Sequence, residues 1–302
     1  MIPQHYKTFP GLLATVVLLT GCSGIVSSTS NSQTTSAQSN PSSSEAFNYA
    51  SYSDILDAYV NREGLVDYQS LQANRQTLNA FNNSIGEVSP DMYSSWDDAQ
   101  KIAFLINAYN SFTLEAIVDQ DPLKSSIRDI PGVWRIRSFE IAGQQKTLDN
   151  IEHQTLRTEF NEPRIHAALV CAAMSCPPLR TEPYRAETLD VQLDDQTDQW
   201  LSRPDIGFKI DLDANQVYLS SIFDWFGEDW IPSYGVEDGF TGNEKERAVL
   251  NFISQYVSPE EREYLLEGNY DIKYLDYDWS LNIQSNLASQ AFLDWYSLTL
   301  SR

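Results

Sequence analysis

The side chains best suited to covalent chemistry lie close together in the middle of the chain. His166 is followed by Cys171 and Cys176 in a His-x4-Cys-x4-Cys run, with Glu152 and His153 a short way upstream. Three chemistries suit that set. A thiol nucleophile, a histidine base and a carboxylate or amide to orient the ring form the arrangement of cysteine hydrolases and acyl transferases. A metal could be held by His166, Cys171 and Cys176, although this spacing does not match the Cys-x2-Cys pairs of structural zinc. A disulfide between Cys171 and Cys176 would close only a small loop, and an oxidising compartment would allow it.

The elements that carry these residues can be read from periodicity. Arg164 to Cys171 is apolar on both faces, which predicts a central strand covered on both sides. His166 would then sit in a mostly dry place that favours its neutral, basic form. Ala172-Ala173-Met174-Ser175 ends the strand, and Pro177-Pro178 holds Cys176 extended. In a regular strand Cys171 faces away from His166, so Cys176 is the better thiol to meet the imidazole. Trp134 to Ile141 reads as a strand ending at Gly143, and Thr147 as the N-cap of a helix running to Arg157. Glu152 falls in the middle of that helix's apolar arc, between Leu148 and Leu156, with His153 at the edge. A carboxylate aimed at a core needs a partner. Glu152 either pairs with Arg157 or Arg164, or belongs to an active site.

Residues 96–119 predict a helix that is apolar nearly all round, and hence buried on most sides. Asn107 and Asn110 share one of its faces. They either clamp neighbouring backbone, or one of them orients a catalytic group. Helices are also expected over 54–60, 187–201 and 243–256, with a capping box at Ser258-Pro259-Glu260-Glu261. Val217-Tyr218-Leu219 reads as a short strand, residues 222–230 as an aromatic stretch near the surface or a pocket, and residues 272–282 as an extended segment.

The chain has 302 residues, 20 Lys+Arg against 42 Asp+Glu, and a net charge of −22. So acidic a chain is no duplex nucleic-acid binder. Its three cysteines are too few for a disulfide scaffold, and its 42% hydrophobic content excludes wholesale disorder. Residues 1–21 read as a signal peptide, with Lys7 before the short apolar run Leu12–Leu19. Leu19-Thr20-Gly21-Cys22 resembles the bacterial lipoprotein signal, which implies lipidation of Cys22. Ser23 after that cysteine implies the outer membrane of a Gram-negative cell. Residues 22–45 are rich in Ser, Thr, Asn and Gln and read as a flexible tether, leaving residues 46–302 as one globular domain.

Phe104-Leu-Ile-Asn-Ala-Tyr-Asn110, Thr147-Leu-Asp-Asn-Ile-Glu-His153, Pro163-Arg-Ile-His-Ala-Ala-Leu-Val-Cys171, Ser175-Cys-Pro-Pro178 and Tyr277-Asp-Trp-Ser-Leu-Asn282 resemble the motifs of the domain-of-unknown-function 547 family. The resemblance runs over about residues 50–285. It implies a grouping with papain-like and transglutaminase-like folds, and hence a buried helix packed on an antiparallel or mixed sheet in an α+β domain. Carried over by position, its polar residues are Asn107, Asn110, Glu152, His153, His166, Cys171 and Cys176. Ala172 stands where the family motif implies glycine. Papain-like enzymes carry their cysteine on the buried helix, whereas this helix offers Asn107 and no cysteine; either the site is rearranged or the ancestral chemistry is lost.

The expectation is therefore a lipid-anchored, cysteine-dependent hydrolase or acyl transferase acting on peptide or amide bonds. Cys176 is its nucleophile and His166 its base. Glu152 or Asn107 orients the ring, His153 lies nearby, and Cys171 is the second choice of thiol. No cofactor and no metal is expected. The alternative is a non-catalytic envelope-binding domain that uses the Trp225–Trp230 aromatics for contact.

Overall fold

The computed structural model describes residues 46–284. The signal, Cys22 and the tether lie outside the described residues. The domain is α+β, with its helices and two small sheets distributed over two hydrophobic clusters.

The first cluster is built around one helix. Helices α1 (Ala50–Tyr59), α2 (Tyr68–Ala73), α3 (Gln76–Gly86) and α4 (Pro90–Ser95) lead into α5 (Asp98–Val118). Asp97 caps α5 in a reciprocal box with Gln100, and every residue from Ile102 to Leu114 is buried. The all-round apolar pattern is thus explained by packing on every side, with α2 and α3 against it. The sheet it meets is the hairpin β1 (Ser138–Ile141) and β2 (Gln144–Thr147), where Phe112 stacks on Phe139 at 4.3 Å. Ala142 and Gly143 turn that hairpin with φ of 49° and 73°. The strand starts later than expected, because Trp134 belongs to a turn in which the amides of Arg135, Ile136 and Arg137 all donate to the Gly132 carbonyl.

Thr147 caps the next helix as expected, again in a reciprocal box, here with Asn150. Helix α6 (Leu148–Ile151) widens into a π-helical turn over Glu152–Leu156 and ends as α7 (Arg157–Glu159). Wide turns of this kind shift the side chains that follow out of helical register, and they concentrate at functional sites.

The predicted strand from Arg164 to Cys171 is not formed. Ile165–Ala168 is a short buried helix, α8, begun by a tight turn in which the His166 amide donates to the Pro163 carbonyl. A short run that is apolar on both faces suits a buried helical turn as well as a central strand. The chain becomes extended only at Leu169.

The second cluster holds α9 (Leu189–Leu201), β3 (Phe208–Asp211), β4 (Gln216–Leu219), α10 (Ser221–Phe226), α11 (Ile231–Tyr234), α12 (Glu244–Ile253), α13 (Pro259–Glu267) and β5 (Asp271–Tyr274). A 3-10 turn, Gly227–Trp230, joins α10 to α11. In this mixed sheet β4 pairs antiparallel with β3 and parallel with β5. Ala167 of α8 packs in this cluster while its neighbours Ile165 and Ala168 pack in the first, and Tyr277 touches both. The segment of His166 therefore lies on the seam.

Candidate active site

Glu152, His153, His166, Cys171 and Cys176 all line one cavity of about 500 Å³, which lies along that seam. Each is placed by a different local device. The π-helical turn presents Glu152 and His153, α8 presents His166, and a backbone reversal presents the two thiols. That reversal depends on Ala172, whose φ of 60° is left-handed. This explains why the family motif implies glycine there: a Cβ in that region costs roughly 1 kcal/mol.

The thiols converge. Cys176 Sγ accepts the Cys171 amide at 3.1 Å, and the Tyr277 hydroxyl lies 3.2 Å from Cys176 Sγ and 3.4 Å from Cys171 Sγ. The expectation that Cys171 faces away is thus corrected, because the left-handed turn folds both sulfurs to one side. Both are free thiols, Cys176 buried and Cys171 half-buried. Burial works against a thiolate at Cys176, but hydrogen bonds from Cys171, Tyr277 and backbone amides outweigh it and hold its pKa below the ordinary thiol value. Cys171 moves the other way. Its bond to the Cys176 sulfur and its burial push its pKa up, so Cys176 is the more acidic thiol of the pair. Burial, followed by the two neighbouring thiols, likewise keeps the Tyr277 phenol protonated and able to donate.

His166 Nε2 lies 2.7 Å from Asp229 Oδ2. A carboxylate there holds the ring proton on Nε2 and leaves the lone pair of the neutral ring on Nδ1. The ring is fixed by stacking on Phe226 at 4.9 Å and on Trp230 at 5.2 Å. Arg157 grips Asp229 from the other side through Nε at 2.6 Å and a second nitrogen at 2.9 Å, and also meets His153 Nδ1 at 3.1 Å. Burial would raise the Asp229 pKa, but the hydrogen bonds from His166 and Arg157 win and bring it down to about 2.

Neither of the two groups expected to orient the ring is hydrogen-bonded to His166. Asn107 does not line the cavity; its amide accepts from the Tyr184 amide at 3.0 Å and donates to the Tyr184 carbonyl at 2.8 Å. Asn110 does the same for the chain leaving α8, donating to the Ala168 carbonyl and accepting from the Val170 amide, each at 2.9 Å. A buried helix offers these amides no water, so they satisfy backbone that would otherwise be unpaired. Glu152 pairs with neither Arg157 nor Arg164. It accepts from the Tyr109 hydroxyl at 2.8 Å, while Arg157 is taken by Asp229 and Arg164 by Glu162, Asp190 and Asp194.

Asp229, Tyr277 and Tyr109 are the contributors that residue types alone did not single out. Asp229 lies within the aromatic run 222–230 and Tyr277 opens the closing motif, so both stood inside flagged segments. Nothing in the spacing tied either to His166 or Cys176. The aromatic run itself divides: Trp225 is exposed at the cavity, whereas Trp230 is fully buried against His166 and cannot serve as a contact surface. Among the described residues, no three His, Cys, Asp or Glu side chains are grouped to hold a metal.

The site is a buried thiol with donors aimed at it, sharing a cavity with an imidazole–carboxylate pair in an α+β domain. Residues 93–201 match the family model described as "Protein of unknown function, DUF547", which supports the resemblance carried by the motifs in that span. The matched span contains Cys176, Cys171, His166, His153, Glu152 and Asn107, while Asp229 and Tyr277 lie beyond it. No curated protein and no solved structure gives a significant match to the chain.

Proposed function

We propose that this protein is a cysteine-dependent hydrolase or acyl transferase acting on peptide or amide bonds. The observation that supports it is the shared cavity, in which a thiol favoured as thiolate and a histidine held by Asp229 open onto the same space. In this reading His166 Nδ1 takes the Cys176 proton, and the resulting thiolate attacks the substrate carbonyl carbon, forming a C–S bond. The C–N bond then breaks, and the amine leaves with a proton delivered by His166. Water or a second amine, deprotonated by His166, takes the acyl group and returns the thiolate. Asp229 fixes the ring, in the place first given to Glu152 or Asn107, and Tyr277 holds Cys176. Glu152 and His153 complete the polar side of the cavity.

The lipoprotein signal supports a further proposal, that the domain is held at the outer membrane of a Gram-negative cell through Cys22 and works on envelope material. No described helix is long and apolar enough to cross a membrane. The papain-like grouping stays part of the proposal, as a rearranged site in which the buried helix carries Asn107 and the thiol comes from the turn after α8.

The test is intact-mass detection of an acyl adduct after exposure to peptide thioesters. An adduct on Cys176 that disappears in C176S, while the melting temperature stays within a few degrees, supports the reading. A cleanly folded C176S that still turns over substrate, or no adduct across a broad peptide set, overturns it in favour of a binding domain.

A further inference from the structure

Part of the cavity lining is aromatic. Trp225 and Trp279 lie nearly parallel at 5.9 Å, with Tyr277 against both at 4.8 and 4.6 Å. Arg128 also lines the cavity, its guanidinium 5.2 Å from the centroid of the Trp279 ring. The other arginines of this cavity region are paired, Arg157 with Asp229 and Arg135 with Asp149. Among the described residues no carboxylate forms an ion pair with Arg128. In a chain of net charge −22, a cation left without a carboxylate at a cavity wall is a local exception to the surrounding field. Planar guanidinium groups suit carboxylates, and exposed aromatic faces suit apolar side chains.

We infer that the cavity binds a peptide segment presenting a free carboxylate to Arg128 and an apolar side chain to the Trp225–Trp279 wall. This deepens the reading of the same cavity as a thiol acyl-transfer site and rests on it. The carboxylate would anchor one end of the substrate while its reacting carbonyl lies over Cys176. It would also let an acidic protein select anionic peptides that the rest of its surface repels.

The experiment compares alkylation of Cys176 in the full chain by iodoacetate, which is anionic, and iodoacetamide, which is neutral. In R128Q the iodoacetate-to-iodoacetamide rate ratio should fall about 3–10-fold, and in R128K it should stay near the wild-type value, since a unit charge across a partly wet cavity is worth about 1 kcal/mol. The iodoacetamide rate itself should not move, which shows the thiol intact. A ratio unchanged in R128Q overturns the inference while leaving the thiol reading standing. If neither reagent reaches Cys176, the thiol reading fails on its own, and tryptophan fluorescence then decides about Arg128. Binding of N-acetylphenylalanine that exceeds binding of its amide, with the difference lost in R128Q, supports the carboxylate site. Equal or absent binding of the two sinks it.

Discussion

Asp229 carries two partners on one carboxylate, and this sets what its replacement should do. Asn at this position keeps the shape but cannot accept from both His166 and Arg157 as an anion. If turnover is found, D229N should lower kcat by about 10²–10⁴-fold, in the range seen when a histidine loses its orienting carboxylate. The same residue links stability to pH. Its folded pKa of about 2 lies below the usual carboxylate value of 3.8, so its contribution is complete above pH 4 and is lost as the pH falls through 2. Asp229 is only half-buried, and solvent screening leaves about 1 kcal/mol of that effect. Urea melts of wild type and D229N should therefore converge between pH 4 and pH 2, and a constant gap over that window would contradict the pairing. Tyr277 gives a separate prediction. Y277F removes a donor from Cys176 and should raise its pKa, slowing alkylation at neutral pH by about 3–10-fold.

At the scale of elements, the site depends on turns more than on regular structure. Asn110 satisfies both the Ala168 carbonyl and the Val170 amide, in a place water does not reach. N110A should cost about 2–4 kcal/mol by chemical denaturation, because two buried backbone groups lose their partner. At Ala172 a β-branched side chain would have to adopt φ near 60° in a space that is already full. A172V should destabilise by about 2 kcal/mol or more and slow Cys176 labelling at the same time. These elements also show what the sequence could reveal. The N-cap at Thr147, the capping box at Ser258 and the buried course of α5 were legible, since caps and all-round apolarity are local signals. The helix at His166 was not, because so short and mostly apolar a run cannot distinguish a buried helical turn from a buried strand. The convergence of Cys171 with Cys176 was equally hidden. It follows from one positive φ at an alanine, which residue type alone argues against.

For the molecule as a whole, the site lies where distant parts of the chain are tied together. Tyr277 belongs to a segment that closes the domain: the Met174 amide donates to the Ser280 carbonyl, the Asn282 amide to the Ala172 carbonyl, and the Tyr68 hydroxyl to Asn282 Oδ1 at 2.7 Å. Asp229 reaches His166 across 63 positions of sequence, and Tyr277 reaches Cys176 across 101. Pairings of such range leave no periodic trace, which is why the thiols and the histidine were visible in the sequence as candidates and their partners were not. The net charge of −22 acts at this scale too. Screening of like charges should make the fold more stable at 0.5 M than at 0.05 M salt, by about 1 kcal/mol or 2–4 °C in Tm for a domain of this size. A Tm unchanged by salt would mean that the acidic surface is already balanced locally.

The central claim is that Cys176, and not Cys171, holds the thiolate of this cavity. The most direct measurement is the rate of iodoacetamide labelling at each cysteine of the folded full chain from pH 4 to pH 9, read by peptide mass spectrometry. Selective labelling of Cys176, with an apparent pKa below the ordinary thiol value of about 8.5 and Cys171 silent until much higher pH, is the predicted result. Faster labelling of Cys171, or no labelling of either before unfolding, would contradict it.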